Sequence, residues 1–418
     1  MLTLYRLLGY LLFPLVLPVL LLHPKLRGRL RERLGFYPRM ETGAGPRLWI
    51  HAASAGDVKA VSPLLHALRA RAPHATIVLT VTTSTGRAMA ERVGVPADLL
   101  LTAPLDLFGA TRRAVARVRP ELLVLEYAEL WPNLIFAVRR TGAQVALTDG
   151  RVSPRGLQRA RLAGPLYKAL LQELSLCLMR SVGDAERVEA LGAPRERIVV
   201  TGNTKYDAPA PGPVEVDALR EVMALDRRAL LVLGNTHAGE EALILPVFVR
   251  LRRDFPELRC LVAPRYPERC DDVALVAEGL GLSVARRSAG RVGDADVVLL
   301  DTVGELATAY GLGVVAFVGG SFTTRGGQNV LEPALHGVPV LFGPSTDNFR
   351  EEVALLADHG GQEVADAEEL EGELRALLED VDRRHQLGAL AADRAHALRG
   401  AAQENASRLM ALLPGASS

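Results

Sequence analysis

At 418 residues the chain has room for two domains of ordinary size. A hydrophobic fraction of 49% and a charged fraction of 23% fit a globular protein, while a net charge of +1 excludes an overall nucleic-acid footprint. Aromatic residues make up only 5%, too few for a platform that stacks single-stranded bases. Cys177, Cys260 and Cys270 lack metal-ligand spacing, and so sparse and odd a set fits a reducing compartment without a disulfide framework. The histidines are scattered, so no protein metal site is expected.

The N-terminus departs from this average. Leu7 to Leu22 is nearly all apolar, broken by Tyr10, Pro14 and Pro18, and Lys25, Arg27, Arg29, Arg31 and Arg33 follow. The run is short for a bilayer span, which needs ~20 residues. No small-residue cleavage site follows it, which argues against a signal peptide. Residues 1–40 therefore read as a membrane-associating segment. It is a marginal anchor with a cytoplasmic basic flank, an interfacial helix drawn to anionic lipid, or a hydrophobic helix packed on the protein's own core.

Next, Leu48–Ala52 reads as a strand, Val58–Ala70 as a helix, Thr76–Thr80 as a strand and Gly86–Val93 as a helix. Strands at Leu122–Leu125 and Val145–Thr148 flank a helix at Pro132–Arg140. Short apolar runs alternating with helices imply βαβ units and a parallel sheet. Residues 41–206 form this first Rossmann-like domain. Three prolines and a glycine in Asp207–Pro213 then mark a semi-rigid linker, residues 207–216.

The pattern restarts over residues 217–418. Strands are expected at Ala229–Leu233, Arg259–Ala263, Ser283–Arg286, Val297–Leu300, Val314–Val318 and Val338–Phe342, with Pro339 suited only to a strand start or sheet edge. Ala367 to Leu412 reads as almost wholly helical. The fold class is α/β, two doubly wound domains, with ligands expected beyond the C-terminal strand ends, in a cleft between domains.

Several polar segments follow predicted strands. Ser54-Ala-Gly-Asp57 opens a helix, where Asp57 either caps free N–H groups or acts as a base. Glu126-Tyr127-Ala-Glu129-Leu-Trp-Pro-Asn133 brings carboxylates and a tryptophan to one loop. Lys205 precedes the linker, either as a solvated surface cation or facing developing negative charge. Thr236–Glu241, Pro264–Arg269 and Asp301–Leu306 lie at further strand ends. The glycine pairs Gly319/Gly320 and Gly326/Gly327 lie between an apolar strand and a helix expected to begin near Asn329. Such a turn either cradles a phosphate on backbone N–H groups or is a left-handed turn without a ligand.

In order, His51–Asp57, Thr82–Gly86, Glu129–Asn133, Gly202–Asp207, Thr236–Glu241, Pro264–Arg269, Gly304–Leu306 and Gly319–Glu332 resemble the segments of the bacterial 3-deoxy-D-manno-octulosonic acid (Kdo) transferases. The resemblance runs from the N-terminal segment to about residue 400. It implies a GT-B fold, two Rossmann-like domains with an interdomain cleft. It also implies inverting transfer of Kdo from CMP-Kdo to a lipid A precursor, at the cytoplasmic face of the inner membrane, with no metal or other cofactor and no nucleic-acid partner. By the same resemblance CMP is held by Pro264, Arg265, Gly304, Glu305, Leu306, Asn329, Val330, Leu331 and Glu332. Asp57 falls at the family's base and Lys205 at its transition-state-stabilising lysine.

Two departures mark the acceptor side. The family has Glu where this chain has Asp57, one methylene shorter. Its Glu-x-Glu before Leu-Trp-Pro-Asn becomes Tyr127 and Glu129, with Glu126 one residue early. Adjacent strand residues face opposite ways, so Glu126 replaces the lost carboxylate only if the loop is irregular. A transferase of the same fold with another nucleotide-sugar or acceptor stays open, as does a membrane protein that binds nucleotide without catalysis.

Overall fold

The computed structural model describes residues 2–23, 28–40, 43, 45–127, 129–208, 210–223, 225 and 229–413. Lys25 and Arg27 of the basic flank and Pro209 of the linker lie outside these. The chain divides into two compact units, Met1–Ala208 with Leu398–Ser418, and Pro209–Ala397.

Unit 1 carries β1 (Arg47–His51), β2 (Thr76–Val81), β3 (Leu99–Thr102), β4 (Leu122–Glu126), β5 (Gln144–Gly150), β6 (Leu176–Met179) and β7 (Ile198–Val200). They form one sheet in the order β3-β2-β1-β4-β5-β6-β7, with every pairing parallel. A parallel sheet is covered on both faces, so its central strands are apolar throughout rather than alternating. Leu122 to Leu125 show this, with all four side chains buried. Unit 2 repeats the plan with β8 (Leu230–Thr236), β9 (Arg259–Pro264), β10 (Val284–Arg286), β11 (Val297–Leu299), β12 (Val315–Val318), β13 (Val340–Phe342) and β14 (Gly361–Glu363). Their order is β10-β11-β9-β8-β12-β13-β14, again parallel. Pro339 precedes β13, so it removes no ladder bond within the strand.

β3, β6, β7 and β14 were not anticipated. Each has three or four residues, shorter than the runs that give a periodic signal. The linker also ends sooner than expected. Pro213 opens a helix, Pro213–Met223, as suits a residue with fixed φ and no N–H to lose.

The C-terminal boundary needs correction. Residues 217–418 were expected to form the second domain, but Leu398–Ser418 belongs to unit 1. Ala406 and Leu409 of the helix Ala401–Met410 lie in the core cluster that holds Val61, Leu64 and Leu65 of the helix Ala55–Arg71. Asn405 Nδ2 donates to Thr148 Oγ1 at 2.9 Å, a bond between buried groups 257 residues apart. Helical periodicity cannot say which of two cores a C-terminal helix covers.

The N-terminal helix runs Leu2–Leu22 with Pro14 and Pro18 inside it. Among the described residues, no helix is long and apolar enough to cross a membrane. Its first turns are tied down. Tyr5 Oη donates to Asp106 at 2.9 Å, Arg6 Nε to Asn133 Oδ1 at 2.9 Å, and Gly109 N–H to Tyr10 Oη at 2.8 Å. Arg33, expected in the basic flank, is instead buried and donates to the Thr82 carbonyl at 2.8 Å.

β1 ends on His51, which is buried beside Trp49 and Thr80. Trp49 Nε1 donates to Thr80 Oγ1 at 2.9 Å, and His51 Nδ1 lies 3.1 Å from the same hydroxyl. Burial lowers the imidazole pKa from 6.5 to about 4. The folded state therefore keeps His51 neutral where the unfolded chain takes up a proton. Stability contributed by this site is present above pH 6.5 and falls by about 3 kcal/mol as pH drops to about 4. His51→Gln should lack this acid-side loss. The stability difference between parent and variant, from denaturant titrations, should change across that window; a constant difference would contradict the assignment.

Candidate active site

In a doubly wound sheet the crevice for a ligand opens where the strand order reverses, beyond the C-terminal strand ends. In unit 1 that point lies between β1 and β4, and in unit 2 between β8 and β12. Asp57, Glu126 and Tyr127 stand at the first and Asn329–Glu332 after β12 at the second, while Lys205 follows β7, Pro264 ends β9 and Gly304–Leu306 follow β11.

In unit 1 the chain leaves β1 and enters the helix Ala55–Arg71 through a capping box. Ser54 N–H donates to Asp57 Oδ2 at 2.8 Å, and Asp57 N–H approaches Ser54 Oγ at 3.4 Å. Asp57 thus caps the helix, with its side chain half-buried at the mouth of the crevice. Its Oδ1 has no hydrogen bond among the described residues, so the cap leaves one oxygen available.

Across the reversal, Glu126 is the last residue of β4 and is fully buried. Burial is the main cause that holds its carboxyl well above the usual range, and Asp149 and Asp57 add to it. Tyr127 follows in a left-handed conformation, φ 57°. Burial, Glu126 and Asp149 raise its phenol pKa. The loop is therefore irregular, as a replacement by Glu126 would require. Yet the irregularity begins after Glu126, which stays in register opposite Thr148 and is fully buried. Glu129 is half-buried, and burial together with Asp57 raises its carboxyl.

Lys205 lies in the single turn Thr204–Asp207, where Asn203 Oδ1 accepts from Lys205 N–H at 3.1 Å. Its Nζ stands 4.8 Å from the centroid of Tyr206. Sequence reasoning did not single out Asp149 or Thr204, though Asp149 accepts both Thr204 N–H at 3.0 Å and Thr204 Oγ–H at 2.6 Å.

Unit 2 corrects the reading of the glycine-rich turn as a free phosphate cradle. Glu240, fully buried, reaches into that turn from the start of the helix Glu240–Asp254. Its Oε2 accepts from His237 N–H at 2.8 Å and Gly320 N–H at 2.7 Å, and its Oε1 from Ser321 N–H at 3.0 Å and Phe322 N–H at 2.9 Å. The anion in the cradle is the protein's own. A Cβ on Gly319 would stand 2.6 Å from Thr236 Cα and 2.8 Å from Glu240 Oε2, which is why the turn needs glycine there. Gly326 N–H and Gly327 N–H are also spent, on Ser345 Oγ and the Gly320 carbonyl.

The helix expected near Asn329 is one turn, Leu331–Ala334. Asn329 Oδ1 accepts from Leu331 N–H at 3.1 Å and its Nδ2 donates to Glu332 Oε1 at 3.2 Å. Val330 and Leu331 are buried. Pro264 ends β9 and Arg265 is exposed beside it. Gly304 is exposed at φ 98°, and Glu305 pairs with Arg287 at 2.8 Å beside Leu306. Arg269 binds Glu241 through two bonds, 2.9 and 3.0 Å, which locks the Pro264–Arg269 loop to the start of the helix Glu240–Asp254.

His237 lies amid charge. Burial lowers its pKa, Glu240 opposes that, and Arg325, Arg269 and Arg265 add to it. Arg325 and Arg265 are exposed. They leave a cationic surface beside the filled cradle. Sequence reasoning gave Arg325 no part, although it stands between the two glycine pairs.

Comparison with known proteins agrees with this geometry. A family model described as 3-deoxy-D-manno-octulosonic-acid transferase (kdotransferase) matches residues 28–208, ending where the first segment of unit 1 ends. The 3-deoxy-D-manno-octulosonic acid transferase of Haemophilus influenzae is 33% identical over 371 residues, 87% of each chain. That of Bordetella pertussis is 36% identical over 315 residues, 73% of this chain and 72% of the relative. A solved UDP-GlcNAc 2-epimerase from Neisseria meningitidis, bound to UDP-GlcNAc, has TM-score 0.58 at 12% identity, covering 84% of this chain and 98% of that one. At that identity the likeness concerns the fold alone. On a GT-B scaffold of two parallel seven-stranded sheets, with polar residues at their C-terminal strand ends, the chain belongs to the 3-deoxy-D-manno-octulosonic acid transferase family of glycosyltransferases.

Proposed function

We propose that this chain is an inverting glycosyltransferase that moves Kdo from CMP-Kdo to a lipid A precursor in lipopolysaccharide core biosynthesis. The observation that carries the site assignment is Asp57, whose carboxylate caps a helix through one oxygen and leaves the other available at the reversal point. That oxygen takes the proton of an acceptor hydroxyl. The resulting oxygen nucleophile attacks the anomeric carbon of Kdo from the face opposite CMP. The bond from that carbon to the phosphate oxygen breaks, and CMP departs with the electron pair. Lys205 and the cationic surface of Arg265 and Arg325 offset the charge that develops on the phosphate. Glu332 holds the ribose, and Pro264, Gly304–Leu306 and Asn329–Leu331 line the nucleotide. No metal takes part in this scheme.

Membrane association at the cytoplasmic face of the inner membrane is part of the proposal. It is supported by Leu7, Leu11 and Leu15 of the N-terminal helix, which are 65–73% exposed. Beside that helix lies a pocket of about 820 Å³ lined by Arg6, Arg112, Arg119 and Arg140 around Phe108, with Glu121 as its one acidic side chain among the described residues. Arg6 and Arg112 stand 4.4 and 5.3 Å from the centroid of that ring. None of the four arginines has an ion-pair partner among the described residues. Apolar side chains beside unpaired cations match the boundary between acyl chains and anionic headgroups.

Asp57→Asn keeps a carbonyl oxygen for the Ser54 N–H and removes the base. Its kcat for CMP release from CMP-Kdo with a lipid A precursor should fall by ~10²–10⁴-fold. Parental turnover would leave Asp57 as a cap only. CMP should raise the melting temperature, by the equivalent of about 2.7 kcal/mol at 100 times its Kd. UDP and GDP at the same concentration should not; preference for UDP would favour another nucleotide-sugar, the reading that the buried Glu126 keeps in view. Finally, the protein should sediment with vesicles containing phosphatidylglycerol more than with pure phosphatidylcholine. At about 1 kcal/mol per arginine, Arg112→Ala with Arg140→Ala should weaken that binding by roughly 30-fold. Equal binding to both vesicle types would remove the electrostatic part of the proposal.

A further inference from the structure

Beneath Asp57 and Lys205 lies a buried group of polar atoms that the proposed chemistry does not use. β4 and β5 are paired so that Glu126 stands opposite Thr148, and Asp149 comes next. The pairing of β5 with β6 shifts register between Leu147 and Gly150, and Asp149 adopts φ 50°. This bulge swings the Asp149 side chain toward the turn that opens with Thr204. Glu126, Asp149 and Thr204 have no solvent exposure.

The hydrogens at this site do not balance if both carboxyls are ionised. No N–H or O–H among the described residues donates to either oxygen of Glu126. Its interacting neighbour is Asp149, and a bond between two carboxyls exists only when one of them carries a proton. The Thr204 hydroxyl lies 2.7 Å from the Ala60 carbonyl and 2.6 Å from Asp149 Oδ2, so its one hydrogen serves one of these acceptors at a time. A buried carboxylate with no donor is costly, so the group takes a proton instead.

We propose that Glu126 and Asp149 form a carboxyl pair that holds one proton between them, and that Asp149 is a positioning residue that fixes the Thr204–Lys205 turn relative to the helix bearing Asp57. With Glu126 protonated and donating, Asp149 accepts from Glu126 and from Thr204 N–H. The Thr204 hydroxyl donates either to Asp149 Oδ2 or to the Ala60 carbonyl, three residues beyond Asp57 on the helix Ala55–Arg71. Two elements that carry the expected base and the expected cation are thereby held by one buried network. Glu126 acts through Asp149 and never meets the substrate.

The ionisable groups on the surrounding elements are His51 at the end of β1, Asp57, Tyr127, Arg180 after β6, and Lys205. Asp57 disfavours ionisation of Glu126, and Arg180 opposes it. Burial also raises Asp149, and its bonds from Thr204 oppose that. The folded state thus holds a proton that the unfolded chain releases above ~4.3. Stability contributed by the pair is complete below that pH and is lost as pH rises toward the folded value.

Glu126→Gln tests the proton directly, because an amide N–H donates to Asp149 at every pH. The melting temperature of the variant minus that of the parent should grow by about 3 °C or more between pH ~5.5 and pH ~8.5. Parallel profiles would overturn the shared proton, whatever reaction the protein performs. The positioning role rests on the transferase reading and is tested by rescue. Asp149→Ala should lower kcat by ~10²-fold, the effect of about 1 Å of misplacement, with donor KM nearly unchanged. Asp149→Asn, which accepts from Thr204 N–H and donates to Glu126, should recover most of that loss. If Asp149→Ala does not fold, Thr204→Val and Thr204→Ser serve as the same pair. Equal loss in both members of a pair, or no loss in either, would overturn the positioning role. If the parent itself transfers no Kdo, the transferase reading fails and the melting profiles still decide the proton.

Discussion

Four backbone N–H groups converge on the carboxylate of Glu240, and the crevice of unit 2 takes its form from them. A carboxylate moved out of water costs several kcal/mol, and each bond to its charge returns about 1.5–3 kcal/mol. With His237, Gly320, Ser321 and Phe322 as donors, all the bonds are made by main chain. The turn after β12 is therefore drawn against the end of β8, and only glycine fits at position 319. The exposed cations Arg265 and Arg325 stand beside a cradle that is already full. A nucleotide phosphate in unit 2 then depends on side-chain cations more than on free amides.

Unit 1 meets the same constraint by another route. At its strand-order reversal it buries two carboxyls, Glu126 and Asp149, and the donors to Asp149 are the N–H and hydroxyl of Thr204 rather than a glycine turn. Parallel strands end together on one edge, so polar residues from distant parts of the sequence must be satisfied in the same small volume. One sheet solves this with a ring of amides around an anion. The other solves it with a carboxyl pair, a threonine and a strand bulge. Each solution fixes the loop on which the proposed reacting groups sit.

Much of this was legible in the chain. The apolar runs Leu122–Leu125 and Arg259–Ala263 read as strands because a doubly covered strand has no polar face. Asp57 read as a cap or a base from its place three residues after Ser54, and the cap is present. The strands of three or four residues escaped, since so short a run cannot show a period. Glu240 was visible only as one of several residues in a helix-opening segment, because three of its four donors lie 80 and more residues away. The glycine pairs read equally well as a phosphate cradle or as a turn without a ligand, and sequence spacing cannot say which anion fills the space.

By itself the sequence determined the α/β class, two units built of parallel sheets, and the segments that stand at their C-terminal strand edges. Those follow from local patterns, in which each residue's contribution depends on neighbours a few positions away. Only the tertiary structure decided that the last helix returns to unit 1, that Arg33 turns inward, that Glu240 occupies the glycine-rich turn and that Glu126 is fully buried at the end of its strand. Each of these depends on contacts between residues far apart in the chain, and on burial, which sets whether a carboxylate serves as a ligand-binding charge or as an internal partner.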